Sequence, residues 1–260
     1  MKVVILCGGL GTRLREETEY KPKPMVEVGG RPILWHIMKT YAAFGHTEFV
    51  LCLGYKGNVI RDYFLHYQAR SNDFTVSLGD GGVQLHGTHA ESSWQVTLVE
   101  TGQKAMTGAR LWRVRKYLDG QDFALTYGDG VAKVDLAAEL AFHRQHDKIG
   151  TLLGVRPQSR FGELVTEGDR VDSFEEKPVL TGPRLINGGY FLFKHQFLEY
   201  LSEDEGLVLE QAPLRNLARD GQLMVHQHDG YWQCMDTYRD FELLNKEWDS
   251  GRAPWKVWRD

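Results

Sequence analysis

Near its start the chain reads Val3-Val4-Ile5-Leu6-Cys7-Gly8-Gly9-Leu10-Gly11-Thr12-Arg13-Leu14. A β-branched apolar run that ends directly in a glycine cluster is typical of a buried strand followed by a tight turn. Glycines at such a turn let backbone N–H groups approach a ligand closely, and the resulting concavity suits phosphate oxygens. The stretch therefore predicts the first strand of an open sheet with a candidate phosphate loop at its end, although a plain strand-to-helix turn explains the same glycines.

Two later segments repeat the pattern of this first strand. Residues 49–53 and 123–126 are apolar runs of four or five residues, and each ends in turn-forming residues. Short runs without polar alternation are typical of strands that are buried on both faces. They predict two more strands of a mainly parallel sheet.

Helical patterns separate these runs. Residues 33–41 carry one of them, with Pro32 suited to the first helical position and Gly45 suited to the stop. Residues 136–146 carry another, entered through Asp135 as the N-terminal cap. Strands that alternate with helices indicate βαβ units, so we predict a Rossmann-like α/β fold with a mainly parallel mixed sheet flanked by helices.

The second half of the chain has a different pattern. Residues 171–174 alternate between apolar and polar side chains, residues 190–193 form a continuous β-forming run, and residues 79–95 are rich in Gly, Ser and His. We expect the first two segments to be mixed strands added to the same sheet, and the third to be irregular or a hairpin. The pattern predicts one continuous domain, 1–260, whose halves meet near residue 130.

Composition limits the classes of function. The chain has 31 Lys and Arg against 35 Asp and Glu, a net charge of −4, which argues against a nucleic-acid partner. Its three cysteines, Cys7, Cys52 and Cys234, are far apart and predict neither a disulfide framework nor a zinc site. No apolar run approaches the ~20 residues of a membrane span, and the N-terminal run is too short for a signal peptide. We therefore expect no membrane partner and a cytoplasmic location.

Spacing tests two familiar interpretations of the glycine loop. A dinucleotide-binding fingerprint that began at Gly9 would need glycine or alanine where the chain has Leu14. A P-loop needs a Gly-Lys pair, which the sequence does not contain. Both interpretations are disfavoured, and a nicotinamide-dependent oxidoreductase is left as a distant alternative.

A basic segment follows the loop. In Lys21-Pro22-Lys23-Pro24 each proline restricts the preceding lysine to an extended conformation. Together with Arg13, the two lysines form a candidate clamp for a polyphosphate. A solvated basic turn explains the same residues.

Two carboxylates follow strand-like runs that are far apart in the sequence. Asp129 comes after residues 123–126 and is flanked by glycines. Asp236 precedes a helical pattern, and it could equally be no more than the N-cap of that helix. Ligand crevices in open α/β sheets lie at the carboxyl ends of strands. We therefore expect both carboxylates at one crevice, where they could bind Mg²⁺, a cation that prefers oxygen ligands and substrate phosphates.

Two motifs of the second half offer groups that could bind a ligand, and the second of them suits sugar hydroxyls. Glu176 and Lys177 precede Pro178, which holds the lysine in an extended conformation. Asn187 and Gly188 come just before residues 190–193 and offer amide chemistry with close backbone approach. A loop and a bulge are the simpler explanations.

In their order and separation these motifs resemble the sugar-1-phosphate nucleotidylyltransferases over nearly the whole chain. A further set of motifs is similar to the bacterial branch that transfers a cytidylyl group to glucose 1-phosphate. That set comprises Pro32-Ile33-Leu34-Trp35-His36-Ile37-Met38, Met106-Thr107-Gly108-Ala109-Arg110, Arg160-Phe161-Gly162, Met235-Asp236-Thr237 and Ala253-Pro254-Trp255-Lys256.

The resemblance implies a concrete reaction. CTP and α-D-glucose 1-phosphate would give CDP-glucose and pyrophosphate, with Mg²⁺ as the cofactor. It also implies a homo-oligomer, a trimer or a hexamer, that supplies dideoxysugars for surface polysaccharide such as the lipopolysaccharide O-antigen. The nucleotide would bind the half up to about residue 130 and the sugar phosphate the half from about 131 to 240, with 241–260 as a C-terminal helix and tail.

The resemblance also implies roles for individual residues. The implied nucleotide contacts are Leu6, Cys7, Gly8, Gly9, Leu10, Gly11, Thr12, Arg13, Lys23, Ala105, Arg110 and Gly128. The implied catalytic residues are Arg13, Lys23, Asp129 and Lys177, the implied metal ligands are Asp129 and Asp236, and the implied sugar-phosphate contacts are Glu176, Lys177, Asn187 and Gly188. Ala105 stands where relatives tend to have a small polar residue, so only its backbone could serve.

Two nearer alternatives stay open. One is a uridylyl- or thymidylyltransferase of the same superfamily, and the other is a non-catalytic relative that only binds a nucleotide sugar. The presence of Lys23, Asp129, Lys177 and Asp236 weighs against the non-catalytic alternative.

Overall fold

The computed structural model describes residues 1–156, 163–175 and 185–259. Motif residues 160–162 and the predicted site residues Glu176 and Lys177 lie outside these ranges. In the described residues the strands are β1 (Lys2–Leu6), β2 (Glu27–Val28), β3 (Arg31–Pro32), β4 (Glu48–Leu53), β5 (Asp73–Ser77), β6 (Gly82–His86), β7 (Gln95–Glu100), β8 (Phe123–Tyr127), β9 (Gly130–Ala132), β10 (Gly150–Val155), β11 (Glu163–Glu167), β12 (Arg170–Glu175), β13 (Ile186–Phe193), β14 (Leu223–His228) and β15 (Trp232–Cys234).

Helices connect many of these strands. The α-helices are α1 (Arg15–Thr18), α2 (Ile33–Ala43), α3 (Gly57–Leu65), α4 (Tyr67–Ser71), α5 (Thr107–Val114), α6 (Leu136–Gln145), α7 (Ala212–Arg219) and α8 (Tyr238–Asp249). Short 3₁₀ turns are formed by Lys23–Met25, Arg115–Tyr117 and His195–Tyr200. No helix of the described ranges is long and apolar enough to cross a membrane.

Seven strands form the central sheet, in the order β14-β10-β13-β8-β1-β4-β7. Neighbouring strands are parallel except at β13, which is antiparallel to both β8 and β10. The predicted fold class, a mainly parallel mixed sheet with helices, is therefore confirmed.

The strands at the centre of the sheet are buried on both faces. In β1, Val3 and Ile5 pack into one hydrophobic core, and Val4 and Leu6 pack into the core on the opposite face. Successive side chains of a strand point to opposite faces, so an uninterrupted apolar run serves both cores. The strands expected at residues 3–6, 49–53 and 123–126 are confirmed as β1, β4 and β8.

The two predicted helices are also confirmed, with one correction. Pro32 is the N-cap of α2, not its first helical residue, because its ψ of 142° keeps it in β3. Gly45 follows the helix with a φ of +82°, a conformation that favours glycine. At α6 the Asp135 side chain accepts a hydrogen bond from the Ala138 N–H at 3.0 Å, as a cap should.

Expectations for the second half are met in part. Residues 190–193 lie in β13 of the central sheet, as expected, and residues 79–95 contain β6 of a hairpin that begins earlier, at Asp73. The expectation that residues 171–174 join the same sheet is wrong. They lie in β12, whose partner in the described structure is β11, and the exposed side chains of Val171 and Phe174 belong to no core.

A buried carboxyl group lies beneath the sheet. Glu139 of α6 is 1% exposed, and its Oε1 has no hydrogen-bond partner. Burial raises the pKa of Glu139 to about 8, so the folded protein holds the carboxyl in its neutral form near pH 7.

This burial predicts a pH dependence of stability. In the unfolded chain Glu139 ionises near its ordinary pKa of about 4.3. The folded state keeps the proton up to about pH 8, so the unfolded state binds fewer protons between those values and stability falls as pH rises. A glutamine at residue 139 cannot ionise in either state. Glu139→Gln should therefore reduce the loss of unfolding free energy between pH 5 and pH 8 by on the order of 2–4 kcal/mol.

Urea denaturation of both proteins at pH 5 and pH 8 measures the effect. Glu242→Gln, at an exposed position of α8, is the matched control and should leave the fall unchanged. Equal pH dependence in the wild type and in Glu139→Gln would contradict the assignment.

Candidate active site

The glycine loop lies at the carboxyl edge of the central sheet, where β1 ends. Cys7 is fully buried, and its N–H donates to the Cys52 carbonyl at 3.0 Å, which continues the pairing of β1 with β4. Beyond it the chain leaves the core: Gly9 is exposed and the Leu10 side chain is 59% exposed. Leu14 returns to the core with no exposed surface. The loop is therefore anchored at both ends and open to solvent between them.

Arg110 holds this loop in place through hydrogen bonds to backbone carbonyls. Its guanidinium Nη2 donates to the Gly8 carbonyl at 3.0 Å, and Nη1 donates to the carbonyls of Leu53 and Gly102, each at 2.9 Å. A Cβ atom on Gly8 would lie 2.0 Å from this guanidinium, so the contact requires glycine there. Arg110 is only 4% exposed and ties the loop to the ends of β4 and β7. Its direct contact with a nucleotide stays a prediction.

Two other predicted nucleotide contacts flank the loop. The Gly128 N–H donates to the Leu6 carbonyl at 3.1 Å, and a Cβ at residue 128 would lie 2.8 Å from that same oxygen. Glycine is therefore required for β8 to end against β1. Ala105 is buried just before α5.

The centre of the site is a lysine held between two carboxylates. The Lys23 Nζ lies 2.7 Å from Asp129 Oδ2 and 2.6 Å from Asp236 Oδ1. Arg13 approaches from the glycine loop, with its Nη1 at 3.3 Å from Asp236 Oδ2. The structure thus brings together four residues, Arg13, Lys23, Asp129 and Asp236, that are widely separated in the sequence.

The backbone at Lys23 differs from the expectation. The lysine was expected to be extended because a proline follows it, but it begins the 3₁₀ turn Lys23–Met25. Proline is tolerated early in such a turn because its missing N–H would have no partner there in any case. Pro22, at the N-cap, is the extended residue, with ψ of 153°.

Asp236 reaches the site by an unexpected route. Its strand, β15, is not part of the central sheet but pairs antiparallel with β9, which follows Asp129 directly. The Met235 N–H donates to the Asp129 carbonyl at 2.9 Å, so the two chain segments run side by side. The two carboxylates therefore meet through an antiparallel ladder, and the expected convergence of parallel strand ends is wrong for Asp236.

Asp236 is not the N-cap of the following helix. Thr237 caps α8: its side chain accepts from the Asp240 N–H at 3.3 Å, and Asp240 Oδ2 accepts from the Thr237 N–H at 2.8 Å. This reciprocal capping box satisfies the helix end. The Asp236 carboxylate is thereby left to face Lys23 and Arg13.

The two carboxylates stabilise the charged form of Lys23. Burial alone would lower the pKa of Lys23, but the negative charges of Asp129 and Asp236 outweigh that effect and raise the pKa above its ordinary value. The lysine is therefore a permanent cation that neutralises one of the two negative charges.

The donor set suits a magnesium ion that is shared with a ligand. Two carboxylates whose oxygens already contact one cation offer the hard oxygen donors that Mg²⁺ prefers. In the described part of the chain no group of three or more His, Cys, Asp or Glu residues is arranged to hold a metal. Mg²⁺ is typically bound by one or two protein carboxylates, while phosphate and water oxygens fill its remaining coordination positions.

A small cavity adjoins Asp129 on the side of β13. Its lining includes Tyr127, Asn187, Gly188 and Trp232. The Asn187 Nδ2 donates to the Tyr127 hydroxyl at 3.2 Å, and the Trp232 indole N–H donates to the Gly188 carbonyl at 2.7 Å. The structure therefore places the predicted sugar-phosphate residues Asn187 and Gly188 beside the carboxylate cluster.

Sequence reasoning assigned no role to Tyr127, which lines this cavity, or to Glu210, whose carboxylate contacts Tyr127. The Tyr127 hydroxyl donates to one Glu210 carboxylate oxygen, and the Thr107 hydroxyl donates to the other at 2.8 Å. Burial, together with the Glu210 charge, raises the pKa of Tyr127. Tyr127 could have been noticed from its position just before Gly128 and Asp129. Glu210 lies in a loop whose sequence carries no motif.

A glycine loop after the first strand and a lysine–carboxylate cluster at the same sheet edge define a class of α/β proteins that handle phosphorylated nucleotides. The nucleotidyl transferase family model matches residues 2–249. The chain belongs to the nucleotidyl transferase family. The predicted resemblance is thereby confirmed.

The chain is similar to particular members of this family and to solved structures. Over 259 residues the chain is 48% identical to glucose-1-phosphate cytidylyltransferase of Salmonella typhi. The match covers 99% of this chain and all of the relative. Among solved structures, HddC from Yersinia pseudotuberculosis superposes with a TM-score of 0.70 at 23% identity, over 95% of this chain and 99% of that one. A UDP-glucose pyrophosphorylase in complex with UDP-glucose gives a TM-score of 0.69 at 15% identity, over 96% and 99%. At these identities the two structures show a shared fold.

Proposed function

We propose that the protein transfers a cytidylyl group from CTP to α-D-glucose 1-phosphate, giving CDP-glucose and pyrophosphate. The observation that carries this proposal is the Lys23 ammonium between Asp129 and Asp236, directly beside the glycine loop. The choice of CTP and glucose 1-phosphate is supported by the full-length similarity to the Salmonella typhi enzyme of that name.

The reaction is an in-line displacement at the α-phosphorus of CTP. An oxygen of the sugar phosphate forms the new P–O bond while the bond to the β-phosphate oxygen breaks, and pyrophosphate leaves with its electron pair. Catalysis of such a step consists mainly of positioning the reactants and stabilising charge. The open backbone of the glycine loop suits the nucleotide phosphates, and Arg13 and Lys23 supply positive charge at the same edge.

Asp129 and Asp236 would hold the Mg²⁺. Their oxygens face one cation already, and the two negative charges need a cation to be held so close together. When bound, Mg²⁺ supplies charge stabilisation to the phosphates. Arg13, which contacts Asp236, lies at the same place and adds its own charge.

The sugar phosphate is assigned to the side of Asp129 that carries Asn187 and Gly188, where the cavity of about 30 Å³ marks the position but is too small to enclose a hexose. Asn187 presents an amide there, and the carboxylate of Glu210 behind Tyr127 orients the hydroxyl that contacts this amide. Glu176 and Lys177, which lie outside the described residues, are assigned to the same substrate by resemblance, with Lys177 on its phosphate. We further propose a cytoplasmic homo-oligomer whose product supplies dideoxysugar synthesis for surface polysaccharide.

The choice of base is the sharpest test of the proposed reaction. Cytosine presents an N4 amino donor where uracil presents an oxygen acceptor, and a site that pairs with that donor leaves a group unpaired with UTP, at about 1–3 kcal/mol. We expect CTP to be preferred over UTP by about tenfold or more in kcat/KM. Pyrophosphate release from CTP, UTP, dTTP and ATP with glucose 1-phosphate measures it. Equal kcat/KM values for CTP and UTP would refute the cytidylyl assignment.

The metal assignment is tested at the two carboxylates. Asp129→Asn and Asp236→Asn keep the shape of each side chain but remove its charge, and each should lower kcat about 10²–10³-fold. Both should also weaken the binding of Mn²⁺, used as a paramagnetic substitute for Mg²⁺ and measured by electron paramagnetic resonance. Asp249→Asn, at the exposed end of α8, is the matched control. A folded Asp129→Asn protein with normal turnover and normal Mn²⁺ binding would exclude the shared-metal site.

A further inference from the structure

Glu210 stands at the end of a hydrogen-bonded network that leads to the cavity beside Asp129. Its carboxylate accepts from the Tyr127 hydroxyl, and the oxygen of that hydroxyl accepts from Asn187 Nδ2 at 3.2 Å. Tyr127 and Asn187 line the cavity, whereas Glu210 lies behind them. A hydrogen-bonding effect of Glu210 on a ligand at this place therefore passes through the other two side chains.

The chemistry of these groups fixes the direction of the hydrogen bonds. A carboxylate only accepts, so the single proton of the Tyr127 hydroxyl points at Glu210. Burial and the charge of Glu210 raise the pKa of Tyr127, so the phenol keeps this proton. Because the proton is committed, the Tyr127 oxygen can only accept from Asn187 and has nothing to donate to a ligand.

The backbone fixes the orientation of the Asn187 amide independently. The Gly189 N–H, which can only donate, lies 2.8 Å from Asn187 Oδ1, so the amide nitrogen must face Tyr127. One of the two Nδ2 protons is used on the Tyr127 oxygen. Within the described ranges these two contacts are the hydrogen bonds of the Asn187 side chain. Asn187 therefore has one N–H left to donate at the cavity.

Glu210 is held in place by the protein alone. The carboxylate oxygen that does not contact Tyr127 accepts from the Thr107 hydroxyl at 2.8 Å. The oxygen of the same hydroxyl accepts from the Leu209 N–H at 2.9 Å. Both hydroxyl protons thus point at the two oxygens of Glu210, which is the final acceptor of the network.

The loop that carries Glu210 is fixed to the start of α5. The Leu207 carbonyl accepts from the N–H groups of Gly108 and Ala109 at 2.9 and 3.1 Å. The first N–H groups of a helix have no partner within the helix, so the loop satisfies two of them. A Cβ atom on Gly108 would lie 2.9 Å from the Leu207 carbonyl oxygen, so this close approach requires glycine. The position of Glu210 is therefore set by the same helix whose Arg110 holds the glycine loop.

We propose that Glu210 is a positioning residue for the sugar phosphate. By taking the Tyr127 proton it makes Tyr127 an acceptor for Asn187, and it thereby holds the Asn187 amide as a donor to the substrate. The substrate atom that meets this amide is an oxygen that accepts a hydrogen bond, in a sugar hydroxyl or in the phosphate. The inference rests on the proposed function, because it takes glucose 1-phosphate as the ligand on this side of Asp129.

Glu210→Met removes the final acceptor and keeps most of the length of the side chain. The Tyr127 proton is then free to turn away, and its oxygen no longer serves Asn187 as a fixed acceptor. We expect KM for glucose 1-phosphate to rise about 3–10-fold, as for the loss of one hydrogen bond, while kcat and KM for CTP stay unchanged. Glu203→Met, at an exposed position of the same loop, is the matched control and should change none of these constants.

A double-mutant cycle shows whether the effect passes through Asn187. Glu210→Met should cause no further rise in KM for glucose 1-phosphate when it is added to Asn187→Ala. Equal rises in the two backgrounds would overturn the proposal, and so would a folded Glu210→Met protein with the wild-type KM. If Glu210→Met does not fold, Tyr127→Phe interrupts the same network at its middle, and the same outcomes apply to it.

Analogues of glucose 1-phosphate that each lack one hydroxyl identify the substrate oxygen. If a hydroxyl meets Asn187, the effect of Glu210→Met should vanish with the analogue that lacks it. If a phosphate oxygen does, the effect should persist with every analogue.

A measurement without substrate separates this inference from the proposed function. The side-chain amide signal of Asn187, assigned in NMR spectra by its loss in Asn187→Ala, should shift in Glu210→Met and stay in place in Glu203→Met. An unshifted signal in Glu210→Met would overturn the role of Glu210. A wild type that has no turnover with CTP and glucose 1-phosphate would instead refute the proposed function.

Discussion

The Lys23 ammonium between Asp129 and Asp236 is the contact on which the site depends. Two carboxylates that converge on one point repel each other, and their close approach requires a cation between them. Lys23 supplies that cation from a turn that precedes α2, while the carboxylates come from the end of β8 and from the segment after β15. One ion cluster thus joins three distant parts of the chain at one edge of the sheet.

The scaffold around this cluster determines which groups remain available. Arg110 donates its guanidinium hydrogen bonds to backbone carbonyls of Gly8, Leu53 and Gly102, so the glycine loop is tied to the ends of β4 and β7. Thr237 and Asp240 complete the cap of α8 between them, so Asp236 does not serve that helix. The N-terminus of α8 and the Gly8 carbonyl are therefore satisfied by residues other than those that carry charge at the site.

Much of this arrangement could be predicted from sequence, because local patterns are strong where burial is complete. The uninterrupted apolar runs of β1, β4 and β8 predicted a mainly parallel sheet, and the glycines and charged residues at their ends predicted the site. The route of Asp236 could not be predicted, since the pairing of β9 with β15 joins segments that are far apart and too short to carry a pattern. The contact of Glu210 could not be predicted from sequence either, because only the tertiary structure brings its loop to Tyr127.

The thermal stability of Lys23→Met, with and without Mg²⁺, tests the central claim most directly. Methionine keeps most of the volume of lysine but leaves the two carboxylates without their cation. We predict that in EDTA the midpoint of unfolding falls by about 4–8 °C, and that Mg²⁺ alone restores much of the loss. In the same background Asp129→Asn should also recover stability, because it removes one of the repelling charges. An unchanged midpoint for Lys23→Met, insensitive to Mg²⁺, would contradict the account.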